Sequence, residues 1–103
     1  MQESFTLHCV TWQFGAPKLQ EVRRAGCKLG ILSFSEAQIE ELDECCYHAM
    51  ALSNSGKAIG CARISPDGEA ERMVVLSTEN QEQIESALNL AAWLHESKSA
   101  RYA

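Results

Sequence analysis

Positive charge is scarce in this chain: nine lysines and arginines stand against fourteen aspartates and glutamates, a net charge of −5. Nucleic acids and anionic membranes both need clustered cations, so neither is expected as a partner. Apolar runs are short, none reaching the roughly 20 residues that span a bilayer. The N-terminus has no signal-peptide pattern, and the expected location is the cytoplasm. No C-x-x-C pair occurs, and the five cysteines (Cys9, Cys27, Cys45, Cys46, Cys61) are odd in number. That argues against a disulfide framework and for thiols in a reducing compartment. There is no internal repeat and no low-complexity linker, so residues 1–103 read as one domain. A domain of this length buries roughly two-thirds of its unfolded surface, enough for one core.

The most informative stretch is 71–94, a short apolar strand running straight into a long amphipathic helix. Arg72-Met73-Val74-Val75-Leu76 is bulky and β-branched, too short and stiff for a stable helix. From Glu79 the period changes: Ile84, Ala87, Leu88, Ala91 and Leu94 form one stripe, with Glu82, Glu85, Asn89 and Glu96 behind it. Such a helix start leaves backbone N–H groups without partners, and anions bind there.

Upstream, residues 5–10 alternate apolar and polar, the signature of a half-buried strand. Gly15-Ala16-Pro17 interrupts the pattern, and Pro17 suits the first turn of a helix. On that helix Leu19, Val22, Gly26 and Leu29 share a face, with Gly30 as its stop. Ser35-Glu36-Ala37-Gln38 fits a capping box, predicting a short helix to about Glu44. The acidic run from Glu40 to Glu44 reads as a solvated face or loop, and so does Arg23-Arg24. Residues 48–52 and 58–64 read as strands joined by Ser53-Asn54-Ser55-Gly56, and Ser65-Pro66-Asp67-Gly68 turns into the strand that follows. The order β-α-(α)-β-β-β-α predicts an α+β domain with helices covering a mostly antiparallel sheet.

Beyond element order, GCARISPDGEAERMVVL followed by a polar turn and a helix resembles the GNAT superfamily of acyl-CoA-dependent N-acetyltransferases. LQEVRRA and ELDECCYHAMAL are similar to the first helix and second strand of its small bacterial members. The resemblance covers nearly the whole chain but only about the first two-thirds of that family's domain. It implies a GNAT-like fold lacking the C-terminal strands, with acetyl-CoA in the gap where a bulged fourth strand splays from the fifth. It also implies that Met73, Val74 and Val75 form the pantetheine-binding strand. A loop of pattern Q/R-x-x-G-x-G/A would then cradle the pyrophosphate at the next helix.

Here the sequence departs from the family. Asn80 stands where arginine or glutamine is usual, and Gln81, Gln83 and Glu85 occupy the glycine positions. Glycines serve there because a bare backbone lets phosphate oxygens reach successive N–H groups. Side chains at 81 and 83 would intrude on that volume, and Glu79, Glu82 and Glu85 add charge of the ligand's own sign. The same residues also fit a self-sufficient helix cap, in which Thr78 and Gln81 satisfy each other reciprocally. The family's tyrosine general acid has no counterpart, and neither Tyr47 nor Tyr102 takes its role, so no catalytic residue is expected.

A fourth strand without a fifth would expose an apolar edge that invites pairing with another chain. Trp93 projects about 180° from Ile84, onto an otherwise polar helix face. It reads as a contact surface, as an isolated exposed tryptophan, or as one covered by the C-terminal tail. The expectation is a homodimer, or a partner chain, at the fourth-strand edge and the Trp93 face. Cys45-Cys46-Tyr47-His48 gathers soft ligands but lacks the spaced pairs of a zinc site, so no metal is expected. Buried small hydrophobes are the default for Cys45 and Cys46, with a redox sensor as the other reading; Cys61, inside a strand, reads as core, and Cys27 would be reactive were Arg23 or Lys28 to lower its pKa. His8 and His95 stand alone. Two functions follow: a degenerate GNAT-like module that binds or interacts without acetyl-CoA, or an N-acetyltransferase with an altered phosphate site completed by a second subunit.

Overall fold

The computed structural model describes residues 4–100, with side-chain burial as far as His95. The chain runs β1 (Phe5–Thr11), α1 (Trp12–Lys28), α2 (Phe34–Ala37), α3 (Glu41–Cys45), β2 (Tyr47–Ser53), β3 (Ala58–Ile64), β4 (Ala70–Val75) and α4 (Gln81–Ala100). The strands make one antiparallel sheet in the order β1-β2-β3-β4. Helix α1 packs on one face against Val10, Met50, Cys61 and Val74; α4 packs on the other against Ala49, Ala51, Ala62 and Val75. The α+β class expected from the sequence is therefore what forms. Being covered on both faces explains why β3 does not alternate: all seven of its residues are buried.

Two irregularities shape the sheet. Ala51 pairs with Gly60 and Leu52 with Ala58, so Ile59 is an extra residue in β3. Cys61 pairs with Val74 and Arg63 with Glu71, which places an extra residue in β4. Arg72 sits in that bulge at φ 53, a left-handed conformation that costs an arginine on the order of 1 kcal/mol.

The β2–β3 and β3–β4 turns are built alike. Ser53 and Ser65 each accept a backbone bond from the glycine three residues on, and their hydroxyls accept from Lys57 N and Glu69 N. Both glycines, Gly56 (φ 85) and Gly68 (φ 80), need the left-handed region. A Cβ on Gly56 would meet nothing within 4 Å, so only the conformational cost would be felt. Gly56→Ala is expected to lower the urea unfolding free energy by about 1 kcal/mol.

Several helix boundaries differ from expectation. α1 begins at Trp12, where Thr11 caps it by accepting from Phe14 N, and Pro17 lies inside the helix rather than in its first turn. The helix gives up the one N–H that proline lacks. At its far end Gly30 (φ 77) closes α1 as expected, with Gly30 N bonded to Cys27 O and Ile31 N to Gly26 O. Leu29 is solvent-facing there, not on the buried stripe. The capping box falls on Ser33 and Glu36, two residues before the expected one, and α2 lasts only four residues. Gln38 is extended, and a separate turn, α3, starts after Glu40 because the Asp43 carboxylate accepts from Glu40 N.

Candidate functional site

The β4–α4 junction is where the sequence places its candidate ligand residues. Val74 is buried under α1, Val75 is buried toward α4, and Met73 packs partly buried against the same α4-side cluster. Their side chains are thus committed to the core on both faces, leaving the backbone of an edge strand as what β4 can offer. Asn80 is buried, and its side-chain carbonyl accepts from Ser77 Oγ at 2.6 Å. Its backbone carbonyl receives the first turn's bond from Ile84 N. Helix α4 starts at Gln81, so the residue before it is Asn80 and not Thr78, correcting the cap read from the sequence; the Gln81 amide donates forward to Glu85 Oε1 at 3.0 Å.

Around this helix start lies a depression of about 500 Å³ lined by Thr78, Glu79, Gln81, Glu82, Gln83 and Glu85. It holds three carboxylates and no cation. A neighbouring depression of about 370 Å³ shares Thr78 and Glu79 and adds Ser53, Ser55, Ile59, Leu76, Ser77 and Lys57. Lys57 is the one cation lining either of them.

Trp93 is exposed, as are Leu90 and Leu94 beside it. The buried stripe of α4 runs through Ile84, Leu88, Ala91 and Ala92, leaving Leu94 at its margin. By this point α4 has crossed the sheet: Leu90, Leu94 and His95 line a groove with Leu7 and Cys9 of β1, and His95 lies against the Tyr47 ring. That groove lies toward the β1 edge of the sheet, opposite the β4 edge, while Trp93, half a turn from Ile84, faces away from the sheet. Tyr102 lies outside the described residues.

The largest departure from the sequence reading is a buried ionic cluster. Asp43 is fully buried, and its carboxylate accepts from Arg23 at 3.0 and 2.8 Å, from Glu40 N at 2.8 Å and from Arg63 at 3.4 Å. Arg63 also donates to Glu71 at 2.9 Å and Glu40 at 3.3 Å. Arg72 closes the set by bonding the Glu40 carboxylate and the Glu36 carbonyl. The acidic run is thus not a solvated face at Glu40 and Asp43, and Arg23 is not solvated at all. One signal was available in the sequence: Arg23 sits within the apolar stripe Leu19, Val22, Gly26 at helical spacing, where a charge needs a buried partner.

His48 belongs to the same cluster. Its Nε2 lies 2.9 Å from the Asp43 carbonyl, which can only accept, so Nε2 carries the proton. Nδ1 is then a buried lone pair with no hydrogen-bond partner, beside Trp12, whose ring centroid is 5.2 Å from that of His48. Burial lowers the His48 pKa, opposed by the bond to the Asp43 carbonyl and assisted by the Arg23 charge. Burial alone would raise the Asp43 pKa, but the hydrogen bonds and charge of Arg23, with Arg63, hold it below its ordinary value.

Both shifts make the fold acid-sensitive in a definite order. The folded state disfavours His48 protonation, so that share of stability is complete above the unfolded histidine value, about 6.5, and fades below it. The Asp43 share is complete above about 3.9 and is lost only as pH falls through the lower folded value. Urea midpoints between pH 8 and 5 are expected to fall on the acid side for the native protein. In His48→Gln, which can keep a donor toward the Asp43 carbonyl, that slope is expected to flatten.

None of the five cysteines is in a disulfide; Cys61 is buried with its thiol pushed up to about 12, and burial raises Cys46 as well. Cys45 is exposed, against the expectation of burial, and Cys9 is exposed as well. Among the described residues no three His, Cys, Asp or Glu side chains converge to hold a metal, and no helix is long and apolar enough to cross a membrane. Comparison of the chain with protein-family models, curated proteins and solved structures found no match.

Proposed function

We infer that this is a degenerate GNAT-like domain, a binding or interaction module that has lost ordinary acetyl-CoA use. The element order, the consecutive antiparallel sheet and the β4 bulge at Arg72 support the likeness. One observation carries the loss of ligand: the depression at the head of α4 is lined by Glu79, Glu82 and Glu85, with no cation among its lining residues. A pyrophosphate entering it would meet charge of its own sign, with the Gln81 and Gln83 side chains where bare backbone would be needed. Losing two charge-assisted hydrogen bonds, at roughly 1.5–3 kcal/mol each, removes several decades of affinity.

Lys57 favours a second function, an acyl-CoA-dependent N-acetyltransferase whose phosphates lean toward the β2–β3 turn and whose site a second subunit completes. A thermal-shift titration separates the two. A ligand held only by the folded state at 100 times its Kd stabilises by about 2.7 kcal/mol, which is readily seen in Tm. The binding module predicts no shift up to millimolar acetyl-CoA; the enzyme predicts one at micromolar concentration. In either form the β4 edge is the surface offered to a second copy or partner chain, and the absence of any disulfide suits a reducing cytoplasm.

A further inference from the structure

We propose that the groove between α1 and the α2 segment binds a single-chain amphiphile with an anionic head. The groove has a volume of about 380 Å³ and shares no residue with the depression at the head of α4. Gln20, Arg24, Cys27 and Lys28 form one wall, at the four-, seven- and eight-residue spacing that aligns side chains along α1. Phe34, Ala37, Gln38 and Ile39 form the other. The rim is apolar beyond what the fold requires: Phe34 is 76% exposed and Ile39 56%.

The charge on that rim selects the occupant. Arg23, Arg63 and Arg72 are each ion-paired, whereas Arg24 and Lys28 make no ion pair among the described residues. They stand one turn apart on the same wall, in a protein whose net charge is −5. An alkyl chain lying between Cys27, Ala37, Phe34 and Ile39 would bring its head to these cations. A carboxylate or sulfate head is matched; an ammonium head is repelled. The flanking acids Glu21 and Glu36 disfavour a phospholipid bilayer, which would bring many anionic heads against the whole face rather than one.

Cys27 supplies the readout, since it lines the groove and is partly exposed, while exposed Cys9 and Cys45 lie outside it. The native chain would be alkylated with iodoacetamide, with modification followed peptide by peptide, in the presence of decanoate, decylamine or octyl glucoside below their micelle concentrations. Decanoate is expected to slow labelling of Cys27 at least fivefold relative to Cys9 and Cys45, and decylamine to leave it unchanged. Arg24→Gln with Lys28→Gln, both at the surface, should weaken the decanoate effect by about fivefold, as loss of two exposed charge contacts implies. Equal protection by all three amphiphiles, equal protection of all three cysteines, or no protection would overturn the proposal. So would sizing that shows decanoate acting by dissociating a dimer, or anionic phosphatidylglycerol vesicles protecting Cys27 where decanoate does not.

Discussion

Asp43→Asn is expected to lower the unfolding free energy by roughly 3–5 kcal/mol, the cost of leaving a buried charge without its partner. Against a whole-domain stability of about 5–15 kcal/mol, that removes between roughly a fifth and all of the margin at 25 °C. Arg23 is 2% exposed, clamped between the Asp43 carboxylate and the face of Trp12, whose centroid is 5.2 Å from the guanidinium carbon. Its Nε has no partner, so the carboxylate is what compensates the buried charge. An asparagine keeps the shape but not the charge, and its amide nitrogen would face a donor. Arg63 would lose a contact too, though it retains Glu71 and Glu40. Urea denaturation checks this alongside Glu71→Gln, whose more exposed pairing with Arg63 predicts a loss of about 1 kcal/mol or less. The double variant Arg23→Met with Asp43→Leu should recover much of the loss, because it leaves neither charge stranded.

The second large effect is steric. Gly26→Val should cost roughly 1–3 kcal/mol, and Val74→Ala in the same chain should restore part of it. At Gly26, α1 comes so close to the sheet that an added Cβ would lie 2.8 Å from Val74 Cγ1 and 2.9 Å from Cγ2. Val74 is fully buried and held in register opposite Cys61, so it has nowhere to go. The helix would have to lift, and with it Leu19 and Val22, which share the same cluster. A neutral result for Gly26→Val would mean that α1 stands further from β4 than described. Equal losses in the single and double variants would mean the two residues do not meet.

What the sequence revealed and what it hid follow from the range of the interactions. The hairpins were legible because Ser-x-x-Gly turns are local: Ser53 and Ser65 make their bonds within four residues. The α4 stripe was legible because its period is internal to the helix, although Ala92 rather than Leu94 completes it. The start of α1 was not, since Pro17 is a strong local signal that Thr11 overrides from six residues away. The acidic run misled for a different reason. Glu40 and Asp43 look solvated until Arg23, Arg63 and Arg72 arrive from three other elements 20 to 32 residues distant. The bulge that puts Arg72 at positive φ has no signature of its own, because arginine is not a residue chosen for that conformation. At the α4 start, the substitutions at Gln81 and Gln83 were visible in the sequence. The forward turn of Gln81 toward Glu85 was not, since an i,i+4 partner competes on equal terms with a cap.

The head of α4 decides between a closed phosphate site and an open one. Backbone amide chemical shifts of Gln81, Glu82, Gln83 and Ile84 can be followed as coenzyme A is added to millimolar concentration. If acidic and amide side chains have displaced the phosphate site, those four resonances stay where they are. Saturable movement of the same amides at micromolar coenzyme A would mean that the helix start still holds a pyrophosphate, and the module would have to be read as an acyltransferase.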